Sequence, residues 1–264
     1  MATVEPSRTR PTQRDSANGH TDEARDWAAR SRIFLTPVAA PSILGLFGFA
    51  SSTFMVAAFL AGWYGQGQST TAVLSNLAPF TLFFGGLAQF TAGMWSYRAR
   101  DGIGTAMHGM WGAFWMGFGV LFILAGAGVL HLVSTGPGGH QMVPYSYWFY
   151  TLAALTGCGF VAALFKNAGL AAVLGALTAG TACVAIGFST GITTWYRVGG
   201  YALVVSAALA VYTGLALMLE EATGKVVLPL GLYPYNREDS WKPGVQLTKP
   251  QAYEGGMPGS KVGQ

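Results

Sequence analysis

A few polar side chains interrupt the long apolar stretches of this chain. They are hydroxyls, one amide and one imidazole, and the main ones are Ser52, Thr53, Gln89 and His108. These groups form no paired acid and base, and His108 has no Cys, Asp or Glu at metal-ligand spacing. Polar side chains in a membrane often line the route of a solute. The pattern therefore predicts passage of a small polar solute and favours neither an enzyme nor a cofactor or metal site.

The charged residues are few and are concentrated at the two ends of the chain. They make up 10% of the residues, against about 25% in soluble domains, and the mean hydropathy is +0.39. The stretch between Ile33 and Leu219 contains only Arg98, Arg100, Asp101, Lys166 and Arg197. An aqueous domain of this length could not cover its surface with so few charges. The sequence predicts an integral membrane protein, with a lipid bilayer and no nucleic acid as its partner.

Six continuous apolar runs are long enough to cross a bilayer, which takes about 20 residues each. They are residues 40–63, 73–97, 104–130, 146–165, 170–190 and 195–219. The runs do not alternate as barrel strands do. We therefore expect an all-α integral membrane protein with six transmembrane helices around a central pore. Residues 37–231 form the predicted transport domain, between polar tails at 1–36 and 232–264.

The basic residues also predict an orientation. Lysines and arginines collect in both tails and in the two loops on the same side, whereas the three opposite loops contain none. Because basic residues are retained in the cytoplasm, both termini are predicted to be cytoplasmic. The expected location is the cell (inner or plasma) membrane.

The start of the first run resembles the signature of a known family. Ala40-Pro41-Ser42-Ile43-Leu44-Gly45-Leu46 is similar to the Asn-Pro-Ala-Pro-Leu-Gly-Leu motif of the acetate uptake transporters, the bacterial acetate/succinate permeases and their fungal relatives. The likeness continues, in order, through Phe83–Gln89, Gly112–Trp115 and Glu221–Gly231. Ala40 and Ile43 depart from the signature, which has Asn and Pro at those positions.

The resemblance implies a function and a set of residues. It implies transport of acetate, and of succinate or other small monocarboxylates, that is proton-coupled or channel-like. It also implies a hexamer in which each protomer has its own pore, constricted by Phe49, Trp111 and Leu177. We expect a substrate pathway along Pro41, Ser42, Gly45, Ser52, Thr53, Phe84 and Gln89. His108 and Glu221 are the candidates for a proton-linked role.

The depth of these residues can be checked without the family. The three constriction residues lie seven to nine residues from the cytoplasmic ends of runs one, three and five, and Gln89 lies eight residues from the same side of run two. At 1.5 Å per residue they all lie about 10–14 Å from that side and can share one layer. No Lys or Arg reaches this depth. A carboxylate would therefore meet only weak donors, among them Ser52, Thr53, Gln89 and the Trp111 indole.

Two other interpretations use the same helices. One is a channel for ammonia or another small solute, which would show uptake that depends on ammonium and ignores acetate. The other is a membrane scaffold that transports nothing, in which hydroxyls and glycines serve only helix packing. A Cys at Thr53 or Gln89 would react with a soluble thiol reagent in a pore and resist it in a scaffold.

Overall fold

The computed structural model describes residues 38–130 and 143–231. These ranges contain six long helices, and the predicted tails at 1–36 and 232–264 lie outside them. The helices are α1 (Pro41–Ala61), α2 (Thr70–Arg98), α3 (Gly102–Gly126), α4 (Val143–Ala163), α5 (Ala168–Thr190) and α6 (Thr193–Thr223). Each overlaps one predicted apolar run, so the all-helical prediction is confirmed for the described residues.

Five of these helices, all except α4, are long and apolar enough to cross a membrane. Helix α4 has 21 residues, but Tyr145, Tyr147, Trp148 and Tyr150 lower the hydropathy of its first half. Aromatic residues of this kind are typical of the membrane–water interface. A sixth span therefore stays a prediction, as does the cytoplasmic position of both termini.

Side-chain caps begin the two helices that carry most of the candidate site. The Asp101 carboxylate accepts the backbone N–H of Gly104 at the start of α3. The Asn167 side chain accepts the N–H of Leu170 in the same way at the start of α5. Capping satisfies backbone donors that the first helical turn leaves unpaired. Both caps lie at the end of the bundle where α1 begins, together with Pro41 in its first turn.

Helix α2 changes its hydrogen-bonding register in the middle. Its segment Thr81–Ala88 is π-helical, and it begins two residues after Pro79. The Ser52 hydroxyl of α1 donates to the Phe80 carbonyl at this transition, over 3.0 Å. π-helical turns are rare and are often found at functional sites. Here the turn brings Gly85 and Gly86 against α1 and α3.

The helices close into a ring, because each packs on the next and α6 returns to α1. Small residues allow the last contact: a Cβ at Gly200 would meet the backbone of α1, and one at Gly214 would meet the Phe47 ring. The Ser206 hydroxyl donates to the Val173 carbonyl of α5. The small residues of α6 therefore serve contacts within one protomer. The junction of α3 with α4 is the loosest in the ring.

Candidate functional site: two cavities that meet at Trp111

The inner cavity opens at the end of the bundle where α1 begins, which is the predicted cytoplasmic end. Its volume is about 270 Å³. Residues from α1, α2, α3 and α5 contribute to its wall, among them Pro41, Ser42, Phe49, Gln89, His108, Trp111 and Leu177. The wall thus includes residues of the helices that carry the predicted constriction and Gln89, together with Thr213 and Leu217 of α6.

An ion pair lies at the mouth of this cavity. Lys166 Nζ is 2.8 Å from Asp101 Oδ2, and the Ser42 hydroxyl is 3.4 Å from the same oxygen. Burial alone would raise the pKa of the Asp101 carboxyl, but the Lys166 ammonium and the Gly104 N–H outweigh it and hold that pKa below its ordinary value. Asp101 is therefore a carboxylate at neutral pH. The pair joins the start of α3 to the residues that follow α4, at the loosest junction of the ring.

His108 and Gln89 supply polar atoms deeper in the inner cavity. Both side chains are buried, and among the described residues no hydrogen-bond partner satisfies His108 Nδ1 or Gln89 Oε1. The His108 ring packs directly on Gly45, where a Cβ would lie 2.5 Å from Nδ1. Buried polar atoms without a protein partner are uncommon, because leaving them unpaired costs free energy. A bound solute or water would relieve that cost.

The outer cavity lies on the other side of Trp111 and is larger, at about 510 Å³. Aromatic side chains form nearly half of its wall, including Phe114, Trp115, Phe118, Phe149, Phe188 and Tyr196. Three buried donors also line it: Thr53 Oγ1, Trp115 Nε1 and Thr181 Oγ1. In the described part of the chain none of the three has a hydrogen-bond partner. This cavity therefore combines apolar walls with three neutral donors.

Trp111 separates the two cavities and is the one described residue that lines both. Its indole meets the Phe49 ring edge-on, with the centroids 6.0 Å apart and the planes at 72°. Phe114 also packs edge-on against the indole, with the ring centroids 5.0 Å apart. Phe49, Trp111 and Leu177 are each at most 3% exposed, and all three line the inner cavity. We call these three residues the apolar layer; Phe49 and Leu177 line only the inner cavity, whereas Trp111 lines both.

The indole N–H of Trp111 does not face a solute. It donates to Thr156 Oγ1 of α4 over 3.1 Å, in a fully buried contact. The expectation that this N–H would serve a carboxylate is therefore not met in this structure. The reason is that α4 supplies an acceptor directly behind the ring.

Comparison with known proteins now gives the family. The model of the GPR1/FUN34/yaaH family matches residues 30–234, which is more than half of the chain. The chain belongs to the GPR1/FUN34/yaaH family. An uncharacterized protein of Methanothermobacter thermautotrophicus is 26% identical over 72% of this chain and 89% of its own length. The succinate-acetate/proton symporter SatP of Escherichia coli is 25% identical over 74% of this chain and 97% of its own.

Two further matches extend the comparison. The ammonia transport outward protein 2 of Saccharomyces cerevisiae is 36% identical, over 31% of this chain and 28% of that protein. The solved structure of the bacterial acetate channel SatP has a TM-score of 0.64 and 24% identity, and it covers 74% of this chain and 100% of that chain. It shows the same fold. The GPR1/FUN34/yaaH chain is thus a bundle of this type with several helices suited to a membrane.

Three of the predicted pathway residues line neither cavity in this GPR1/FUN34/yaaH protein, and Glu221, a candidate for a proton-linked role, makes a contact between helices. Gly45 contacts the His108 ring, and Ser52 bonds to the backbone of α2, so neither lines a cavity. The Phe84 side chain is 46% exposed and lines neither cavity, since the π-helical segment turns Gly85 and Gly86 inward. Glu221 Oε1 accepts the backbone N–H of Ala40 over 2.6 Å, which joins the end of α6 to the start of α1.

Several residues of the site were missed from the sequence. Asp101 and Lys166 had a usable signal, because Asp101 is the sole acid between Ile33 and Leu219 and a basic residue in that range must be its partner. Thr156 had none, since threonines are common in membrane helices. Trp115 lies in the quoted Gly112–Trp115 motif, but a motif does not say which side chain faces the cavity.

Proposed function

We propose that this protein is a membrane pore for acetate and other small monocarboxylates, with succinate as a further substrate. The observation that carries the proposal is the pair of cavities that face each other across Phe49, Trp111 and Leu177. The family supports it, since one relative is named a succinate-acetate/proton symporter and the solved neighbour an acetate channel. The apolar layer is the gate of the proposed pore.

The walls suit a small acid with an apolar body. A carboxylate loses its hydration in a narrow pore and needs donors in place of water. Thr53, Trp115 and Thr181 on the outer side can supply them, because all three are buried and have donor groups without a described protein partner. All three are neutral, so binding is loose enough for the solute to leave again. The methyl group of acetate then passes the apolar gate.

The proposal includes a proton-linked step and assigns it to His108. Its side chain lines the inner cavity, beyond the Asp101–Lys166 pair that stands at the mouth. An imidazole can take up and release a proton at its two nitrogens. Glu221 is assigned to the contact between α6 and α1, because its carboxylate already accepts the Ala40 N–H.

The membrane arrangement completes the proposal. All six helices cross the cell membrane, with α4 as the span of lowest hydropathy and both termini in the cytoplasm. Six protomers form a hexamer in which each ring encloses its own pathway. The described aromatic side chains on the outside of the bundle, such as Phe80, Phe83 and Trp95, support contact with lipid or with neighbouring protomers.

Uptake of labelled acetate into proteoliposomes tests the function. Protein-free liposomes give the leak of neutral acetic acid, which is subtracted. Saturable uptake that succinate competes for, and that Phe49→Ala alters, is the expected result. Uptake by folded wild-type protein that is no faster than the leak would reject acetate transport.

Ammonia is the second candidate, because a yeast relative is named an ammonia transport outward protein. The matching experiment measures methylammonium flux in the same vesicles. Flux of methylammonium without saturable acetate uptake would favour this candidate. If the vesicles show neither acetate nor methylammonium flux, the result favours the scaffold. Helix packing alone, however, does not require the five unpaired buried polar atoms on the described cavity walls.

A further inference from the structure

The orientation of the Trp111 ring depends on a contact outside the pathway. Phe49 and Phe114 touch the indole through their rings, in edge-on contacts that do not involve a hydrogen bond. The hydrogen bond from Nε1 to Thr156 is the one directional contact described for this side chain. Thr156 lines neither cavity. It therefore stands behind the gate and does not form part of it.

The Thr156 hydroxyl is itself held in place. It donates to the Leu152 carbonyl one turn earlier in α4, over 2.7 Å, and its side chain is 0% exposed. With its proton directed at Leu152, its lone pairs are left for the Trp111 N–H. Three groups thus form a short chain: the indole N–H, the hydroxyl and the backbone carbonyl. This chain ties the gate on α3 to α4, at the ring's loosest junction.

We propose that Thr156 is the positioning residue of the gate and sets the size of acid that can pass. The proposal rests on the proposed function of Phe49, Trp111 and Leu177 as a gate. While the hydrogen bond is intact, the indole stands edge-on to Phe49 and closes the passage to bulkier acids. Without it the indole N–H is buried and unpaired, so the ring turns toward another acceptor and the opening changes.

Substitution of Thr156 tests this proposal through selectivity. Thr156→Val keeps the shape and removes the acceptor, whereas Thr156→Ser keeps the acceptor. The measured quantity is the ratio of butyrate to acetate uptake above the liposome leak. We expect Thr156→Val to raise this ratio about fivefold, which corresponds to the penalty for a buried donor left unpaired. Thr156→Ser should restore the wild-type ratio.

Two further variants separate positioning from general loss of structure. Thr151→Val removes a hydroxyl with the same bond to the preceding turn of α4, but from an exposed position away from Trp111, and should leave the ratio unchanged. Trp111→Phe removes the indole N–H, so Thr156→Val should have no further effect on the ratio in that background. An equal fall in both fluxes that Thr156→Ser does not rescue would assign Thr156 a merely structural role and overturn the proposal.

A spectroscopic measurement decides the contact even where wild-type vesicles show no acetate uptake, a result that would reject the proposed function alone. The chain has eight tryptophans, so an indole ¹⁵N–¹H spectrum should show eight cross-peaks. The peak missing in Trp111→Phe belongs to Trp111. It should move on Thr156→Val, exchange faster with solvent, and return to its place in Thr156→Ser. A Trp111 cross-peak with the same position and the same exchange rate in the wild type and in both Thr156 variants would overturn the positioning role.

Discussion

The inner and outer cavities differ in size, in wall chemistry and in how they hold charge. The inner one is about half the volume and has a lysine–aspartate pair at its mouth, with an imidazole and an amide further in. The outer cavity is lined by aromatic side chains and three neutral donors, and its described lining residues include no Lys, Arg, Asp or Glu. A charge can be attracted at the inner mouth, but in the outer cavity a solute is held by shape and hydrogen bonds.

Both cavities end on Trp111, so one side chain separates two environments. This difference suggests that the two cavities select solutes by different properties. The inner cavity selects by charge, and the outer cavity selects by size and shape. The predictions below test this division, beginning with the residue on which both cavities end.

Removal of the Trp111 side chain, which lines both cavities, should have the largest effect on selectivity. Trp111→Ala would join the two cavities, and we expect uptake of butyrate and benzoate to rise on the order of tenfold as the constriction disappears. Loss of the ring should also lower the free energy of unfolding by about 3–5 kcal/mol, so uptake must be normalised to folded protein. Trp95→Ala, at a half-exposed position of α2, is the control and should leave selectivity unchanged. Continued exclusion of benzoate by Trp111→Ala would place the barrier elsewhere.

A donor of the outer cavity should show opposite effects on stability and transport. The Thr181 hydroxyl has no described partner, so Thr181→Val should raise the free energy of unfolding by about 1 kcal/mol. The same variant should raise the KM for acetate about threefold, since a hydrogen bond to the solute is lost. Denaturant unfolding and uptake kinetics measure the two quantities.

The control for this prediction is Ser206→Ala. The Ser206 hydroxyl is equally buried but bonds to the Val173 carbonyl, so its loss should lower stability and leave KM unchanged. A KM for Thr181→Val equal to that of the wild type would remove this donor from the pathway.

The smallest effect, a change in stability, is expected for the Asp101–Lys166 pair at the mouth of the inner cavity. Asp101→Asn keeps the cap on α3 but loses the charge that pairs with Lys166. Lys166 is 42% exposed, so solvent screening should limit the loss of stability to about 1 kcal/mol or less at neutral pH. Because the pKa of Asp101 is depressed on folding, its contribution is complete above the ordinary value of 3.8 and is lost as pH falls through the folded value.

The melting temperatures of the wild type and of Asp101→Asn should therefore converge as the pH is lowered from 6 to 3. A gap that stays constant over this range would show that the carboxylate charge does not stabilise the mouth.

The positions of the helices could be predicted from the sequence, but the face that each helix turns toward a cavity could not. Long apolar runs identify membrane helices by length alone, and each of the six described helices overlaps a predicted run. A helix that is apolar all round has no polar face to indicate its orientation. Phe49, Trp111 and Leu177 were therefore named from resemblance to a family, and the structure then put them on one cavity wall. Thr156 was not named, since its importance depends on which face of α4 meets Trp111.

Phe84 was predicted to line the pathway but lines neither cavity, and this difference has another cause. Its motif was matched correctly, but the chain adopts a π-helical segment at Thr81–Ala88. The side-chain pattern of an apolar segment does not reveal whether its amides bond four or five residues back. The glycines of the motif therefore turned inward and the phenylalanine outward, which only the backbone hydrogen bonds could show.

The contact between Glu221 and Ala40 has a consequence for biogenesis. It joins the beginning of α1 to the end of α6, so the contact can form only after the whole of α6 has been synthesised. Until then α1 lacks the neighbour that covers its flank at Phe47, Ala57 and Ala61. A nascent chain interrupted before α6 would expose that flank to lipid and to quality-control proteases. The ring of helices can therefore close only in a chain that includes α6.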